Sequence, residues 1–114
     1  VLAEQADTAA APSLLTFLQK QLKDVDGFAR SQAARALGRI GYQAALPALL
    51  IALQKDHAAS VRREAAVALG WLTTTPNNAV LSALQQAAQA EDPYLRAAAS
   101  GSLEQIKTRL SNSD

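Results

Sequence analysis

The chain repeats itself around one stretch, Ser60–Leu72, which reads SVRREAAVALGWL. Moving back 32 positions brings Ala29–Ile40 (ARSQAARALGRI) into register, and moving forward 34 positions brings in Leu95–Ile106 (LRAAASGSLEQI). Each copy carries an arginine, several small residues, a leucine and a final aliphatic residue at matching places. A self-match at a period in the low thirties, in helix-forming sequence, is typical of an α-solenoid, in which stacked helix pairs share one core.

The N-terminal part of the chain also belongs to this pattern. Residues 12–20 (PSLLTFLQK) match residues 47–55 (PALLIALQK) at a spacing of 35. Residues 1–5 then correspond to the tail of an earlier helix, so we expect the chain to be a fragment of a longer array that begins partway through a repeat. The alternative is a capping segment that has diverged from the repeat.

The matches predict an all-α solenoid of about three repeats with incomplete ends, in which each full repeat has a first helix, A, and a second helix, B. The expected units are a broken repeat over 1–23, repeats over 24–55 and 56–90, a half repeat over 91–110 and a frayed tail over 111–114. We expect Ser60 to cap the central A helix. Incomplete ends should leave core-facing leucines uncovered, namely Leu2, Leu14 and Leu103.

Composition excludes several classes of function. The net charge is +1, so no bulk field attracts nucleic acid or anionic lipid. Cysteine is absent, and the lone histidine, His57, has no second histidine to share a metal, so we expect no metal and no cofactor. No apolar run reaches the ~20 residues that span a bilayer. Glu64 and Glu104 fit surface ion pairs. No set of side chains suited to acyl, phosphoryl or glycosyl transfer can be assembled, so the sequence predicts that the protein is not an enzyme.

Several short motifs resemble HEAT repeats, specifically the short, alanine-rich bacterial type found in phycobilin lyase subunits. They are Asp-Pro-x-Leu-Arg at 92–96, Val-Arg-Arg-x-Ala-Ala-x-Ala-Leu-Gly at 61–70, Ala-Leu-Gly-Arg-Ile-Gly at 36–41 and Ala-Leu-Pro-Ala-Leu-Leu at 45–50. The resemblance implies a right-handed solenoid with its A helices on the convex side and its B helices on the concave side, which usually meets the partner. It implies a non-catalytic scaffold for protein–protein interaction; the alternative is a phycobilin lyase-type or chaperone-like subunit acting on a chromophore protein.

The resemblance also implies a structural ladder, since the arginine near the start of helix A typically pairs with an acidic residue in an inter-helix turn. The implied residues are Arg30, Arg62 and Arg96 with Asp26, Asp56 and Asp92. The sequence departs from the family pattern at Gly27-Phe28 and at the threonine run over 73–75, which lengthens one connection.

Three residues of the A helices are candidates for binding a partner: Trp71, Arg39 and Arg35. Trp71 occupies a position that is polar in the other two copies, where Arg39 and Gln105 stand. It is therefore either an exposed interface anchor or a ring stacked on the Arg39 side chain. The arginines form either a solvated face or a basic patch for an anionic partner.

The B helices offer a second candidate surface for binding a protein. By register, three rows cross them: Ser13, Ala48 and Ser82; Thr16, Ile51 and Gln85; and Lys20, Lys55 and Gln89. Such rows suit a helix or an extended segment laid across a groove. The expected partner is another protein or another segment of the parent chain, and end-to-end self-association is a further expectation.

Overall fold

A computed structural model describes residues 2–19 and 27–112, with side chains from residue 9 onward. Alanine-rich sequence with early prolines and terminal glycines forms α-helices over these ranges, without a β-strand among them. The helices are α1 (Leu2–Gln19), α2 (Phe28–Ile40), α3 (Leu46–Lys55), α4 (Ala59–Leu72), α5 (Asn78–Ala87) and α6 (Pro93–Ser111), with a short 3-10 turn, Gln43–Ala45, before α3.

The helices form two layers. In the A layer α2 packs against α4, and α4 packs against α6. In the B layer α1 lies on α2, α3 on α4 and α5 on α6. The shortest dimension of the molecule is 19 Å, which is about two helix diameters of ~10 Å each. The predicted all-α solenoid of stacked helix pairs is confirmed.

Two local expectations are corrected. α1 is one continuous helix with Pro12 inside it, although the sequence suggested the tail of one helix followed by the start of another. Alanine-rich sequence before Pro12 favours helix throughout, and Thr16 Oγ1 donates to the Pro12 carbonyl at 3.1 Å. α4 begins at Ala59 without a side-chain cap, so Ser60 lies inside the helix instead of capping it.

The core consists mainly of leucine and alanine. The aligned leucines Leu37 and Leu69 are fully buried between neighbouring A helices and the B layer. The third, Leu103, is partly exposed, and so is Leu14 at the other end of the stack. The side chain of Leu2 lies outside the described residues. Leucines therefore lose their cover towards the ends, because each repeat buries the core of its neighbour.

Two glycines set the distance between successive A helices. A Cβ atom placed on Gly38 would lie 2.8 Å from Ala68 Cα, and one placed on Gly70 would lie 2.8 Å from Ser102 Cβ. Ser102 Oγ also donates to the Ala66 carbonyl at 2.7 Å. The α2 backbone therefore lies against the α4 backbone at Gly38, and the α4 backbone lies against the Ser102 side chain at Gly70, so a larger residue at either position would disturb the packing.

The backbone carbonyls at the C-terminal end of α4 accept hydrogen bonds from three side chains. Thr73 Oγ1 donates to the Leu69 carbonyl at 2.7 Å, and Gln43 Nε2 donates to the Leu72 carbonyl at 2.8 Å. Arg109 Nη1 reaches back from α6 to the carbonyls of Gly70 at 2.9 Å and Thr73 at 2.6 Å. These bonds replace the intrahelical partners that the last turn of a helix lacks. Thr73 is thus part of the packed structure, whereas Thr74 and Thr75 are exposed.

We predict that Gly70→Ala destabilises the fold by about 1–3 kcal/mol, because the added methyl group forces α4 and α6 apart. Urea denaturation followed by circular dichroism measures the change. The matched control is Gly101→Ala, also within an A helix, where an added Cβ atom meets nothing within 4 Å. The free energy of unfolding of that variant should rise by about 0.5–1 kcal/mol, because alanine favours the helix more than glycine does. Equal effects at the two sites would contradict close A-helix packing.

Candidate functional site

A buried ion pair joins the start of α2 to the turn before α4. Arg30 Nε and Nη2 donate to Asp56 Oδ2 and Oδ1, each at 3.0 Å, and both side chains are fully buried. Asp56 Oδ1 also accepts the Ala58 backbone N–H at 2.9 Å. Of the implied arginine–aspartate ladder, these are the residues that the structure brings together.

The other ladder residues have different partners. Arg62 Nη1 donates to the Asp56 backbone carbonyl at 2.7 Å, and the Asp56 carboxylate is bound by Arg30. Arg96 Nη1 donates to the carbonyls of Ala90 at 2.8 Å and Glu91 at 2.9 Å. Asp26 lies outside the described residues. Arg62 and Arg96 therefore bind backbone carbonyls, whereas the resemblance implied carboxylates.

Two more ion pairs cross between repeats with a shared sequence separation of 29 residues. Arg63 Nε donates to Asp92 Oδ2 at 2.7 Å, and Arg35 Nε donates to Glu64 Oε1 at 3.2 Å. The hydrogen bond from Arg63 holds the pKa of Asp92 below its usual value, and the bond to Glu64 raises the pKa of Arg35. Sequence reasoning missed these pairings, although the recurring separation was a usable signal.

The A-layer binding candidates are less accessible than the sequence suggested. Trp71 is only partly exposed, since its ring lies beside Gly38, where Cε3 would be 2.8 Å from an added Cβ atom. Within the described residues the cation–π contact is that of Arg63 with the Tyr94 ring, at 4.9 Å, and not one of Arg39 with Trp71. Arg39 is exposed, whereas Arg35 is engaged by Glu64. Trp71 thus fills the space that a glycine leaves.

The B-layer candidates are mostly open to solvent. The exposed members of the three rows are Ser13, Thr16, Ile51, Lys55, Ser82, Gln85 and Gln89. Ala48 is buried, with 8% of its surface accessible, and Lys20 lies outside the described residues. Ile51 is 57% exposed, which is high for a branched aliphatic side chain in the middle of a helix.

Two pockets of similar size lie between successive B helices. The first, here the Ile51 pocket, has a volume of about 240 Å³ and is lined by Leu18, Gln19, Ala48, Ile51 and Ala52. The second, the Arg62 pocket, has a volume of about 260 Å³ and is lined by Leu53, Gln54, Arg62, Ala83, Gln86, Ala87 and Leu95. Every lining residue of the first pocket has a counterpart 35 positions later in the second. The groove therefore recurs with the repeat, but only the second pocket has an arginine in its wall.

The two ends of the stack carry open grooves as well. The larger, of about 560 Å³, lies between α5 and α6 and includes Leu81, Leu103, Ile106 and Leu110. At this end Glu104 stands where Gly38 and Gly70 stand in the other A helices. An incoming helix would meet the Glu104 side chain at the place where α4 meets Gly38 of α2.

The described residues contain no cluster of three or more His, Cys, Asp or Glu side chains that could hold a metal ion. His57 is an exposed turn residue, and Glu104 is exposed on α6. None of the helices in the described ranges combines the length and apolar character needed to cross a membrane. What these surfaces offer is contact area and pockets, two of which have arginine in their walls, and such features suit binding of another molecule.

Stacked helix pairs whose A helices pack closely against one another define a helical-repeat protein. A family model for HEAT repeats matches residues 1–70, and one for the PBS lyase HEAT-like repeat matches residues 61–90. The chain belongs to the HEAT repeat family, as the sequence motifs predicted. It is similar to the phycocyanobilin lyase subunit beta of Thermosynechococcus vestitus, with 38% identity over an alignment that covers 62% of this chain and 46% of the relative. The chain thus matches less than half of that relative's length, and no solved structure matches it.

We predict that Asp56→Asn lowers the free energy of unfolding by about 3–5 kcal/mol, because it removes one charge of a fully buried, doubly hydrogen-bonded ion pair. Glu64→Gln is the control, since its partner Arg35 has 42% of its side chain exposed and the pair is worth about 0–1 kcal/mol. Urea denaturation of both variants measures the difference. Similar losses in the two variants would contradict a special role for the buried pair.

We predict that Asp92 contributes stability that acid removes. Its pKa is lowered in the folded state, chiefly by the hydrogen bond from Arg63, so the contribution is complete above the unfolded pKa of ~3.9 and is lost as pH falls through the folded value. Asp92→Asn keeps a capping oxygen for the Tyr94 N–H but cannot titrate. Denaturation at about pH 6 and about pH 2.5 should show a smaller acid-induced loss in the variant. Equal losses would contradict the shift.

Proposed function

We propose that this chain is a non-catalytic helical-repeat scaffold that binds another protein, or another segment of its parent chain, through its B layer. The observation that carries the proposal is the exposure of Ile51, 57% of whose surface is accessible beside a pocket between α1 and α3. A partner that covers this side chain gains ~25 cal/mol for each Å² of apolar surface removed from water.

The surroundings of Ile51 support binding of a protein segment. The described row residues on neighbouring helices are uncharged, with hydroxyls at Ser13, Thr16 and Ser82 and an amide at Gln85, and Lys55 lies one turn from Ile51 on α3 itself. A partner therefore meets an apolar centre with hydrogen-bonding groups around it, which is the usual anatomy of a protein interface. In contrast, Arg35 and Arg63 of the A layer are bound to acidic residues of neighbouring repeats.

A second candidate function is that of a phycobilin lyase-type or chaperone-like subunit acting on a chromophore protein. It is favoured by the similarity to the phycocyanobilin lyase subunit, although the chain matches 46% of that relative's length. It shares with the first proposal the binding of a protein, and differs in requiring an effect on a chromophore. Incubating the chain with phycocyanobilin and an apo-phycobiliprotein, and recording visible absorbance, distinguishes the two.

Self-association is a different way to use the ends of the stack. The groove at α6 and the leucines at both ends supply apolar surface for it. Glu104 opposes a copy that adds as a further repeat, because its side chain occupies the space that the glycines leave open elsewhere. The B layer is therefore the better supported surface.

We predict that Ile51→Asp weakens binding of the physiological partner at least tenfold, since it places a charge in the apolar centre of the interface. The partner is recovered on the immobilised chain from a lysate of the source organism, identified by mass spectrometry, and titrated as a purified protein. Ser100→Asp adds the same charge at an exposed position of the A layer and should bind normally.

Arg39→Glu completes the comparison, because it changes the exposed charge of the A layer. Loss of binding with Arg39→Glu but not with Ile51→Asp would place the partner on the A layer and contradict the proposal. Urea denaturation of each variant separates loss of contact from loss of fold.

A further inference from the structure

The three aligned arginines of the A helices have three different environments. Arg30 is fully buried against the Asp56 carboxylate. Arg96 is exposed at the start of α6, where it binds two backbone carbonyls. Arg62 lies between these extremes, since it is partly buried and forms part of a pocket wall between α3 and α5.

No carboxylate neutralises the charge of Arg62 in the described part of the chain. The acids that pair in this region are Asp56, Glu64 and Asp92, and their ion pairs are with Arg30, Arg35 and Arg63. Arg62 itself donates from Nη1 to the Asp56 carbonyl. A carbonyl dipole fixes the position of the side chain but does not compensate a full charge, and a guanidinium has five N–H donors.

The rest of the Arg62 pocket is apolar in its depth and polar at its rim. Leu53, Ala83, Ala87 and Leu95 are buried, whereas Gln54 and Gln86 are exposed. Apolar walls lower the local dielectric constant and so strengthen the attraction between opposite charges. A planar guanidinium also matches a carboxylate through two parallel hydrogen bonds. The volume of about 260 Å³ equals roughly eight or nine water molecules at ~30 Å³ each, which is ample for a carboxylate side chain.

We propose that the Arg62 pocket binds an acidic side chain of the protein partner, while the neighbouring Ile51 pocket binds an apolar one. This rests on the proposed function, which places the partner on the B layer. The two pockets are one repeat apart, a distance of ~8–10 Å for packed helices. A chain in the polyproline II conformation rises ~3.1 Å per residue with three residues per turn, so it covers that distance in about three residues and presents both side chains on one face. The partner segment therefore contains an acidic residue about three positions from a large aliphatic residue.

The test uses short synthetic peptides as probes. The peptide N-acetyl-Leu-Ala-Ala-Glu-amide and its reversed order carry both anchors at the proposed spacing, and matched peptides carry Gln in place of Glu. Each is titrated into isotope-labelled protein by NMR, and the signals followed are Arg62 Nε–Hε and the methyl groups of Leu53 and Leu95. One Glu peptide should bind about tenfold more tightly than its Gln counterpart, because a hydrogen bond to a charged group replaces one to a neutral amide.

Arg62→Gln should remove this preference for the Glu peptide, whereas the matched variant Arg96→Gln should keep it, since Arg96 lies outside the pocket. If Arg62→Gln does not fold, the unmodified protein still decides the question through the Arg62 Nε–Hε signal, which must move with the Glu peptide and not with the Gln peptide. Equal affinities for the peptides, or equal losses in the two variants, would overturn the carboxylate site.

The outcomes also separate this inference from the proposed function. If Ile51→Asp weakens partner binding but the Glu and Gln peptides bind equally, the carboxylate site is wrong and the proposed function stands. If the preference for the Glu peptide depends on Arg62 but Ile51→Asp binds the partner normally, the carboxylate site stands and the assignment of the partner to the B layer is wrong.

Discussion

Successive A helices meet at Gly38 and Gly70 so closely that the neighbouring helix leaves no room for a Cβ atom, and the remaining packing depends on that contact. It sets the spacing of the A layer, which lets Arg35 and Arg63 reach acids 29 residues further along the chain. The B helices sit on this layer and touch one another less extensively than the A helices do. Gaps therefore remain between successive B helices, and two of these gaps are the Ile51 pocket and the Arg62 pocket.

The charges show how one repeat determines the environment of the next. Arg30 takes the Asp56 carboxylate into a fully buried pair. Burying such a pair contributes little net stability, but removing either partner is costly. The pair joins the start of α2 to the α3–α4 turn. The equivalent arginine in the next repeat, Arg62, donates to the Asp56 backbone carbonyl and lines an open pocket. Residues that are equivalent in the repeat thus differ in chemistry.

Membership of the HEAT repeat family describes how the helices pack, and it leaves the choice of partner to the surface. On this surface the A-layer charges are largely used within the molecule, and the B layer presents an exposed aliphatic side chain beside a cationic pocket. A scaffold and a lyase-type subunit would both use such a face to bind a protein. What separates them is an effect on a chromophore.

The sequence by itself determined the repeat period, the stacked helix pairs and the burial of Leu37 and Leu69, because helical spacing and apolar periodicity are local properties of the chain. Tertiary structure alone decided that Trp71 packs beside Gly38, that Ile51 is open, and which acid each arginine binds. Those outcomes depend on the separation and rotation of neighbouring helices, and a shift of a few ångströms exchanges one partner for another. A repeat pattern names equivalent positions, but it does not say which of them a neighbouring helix covers.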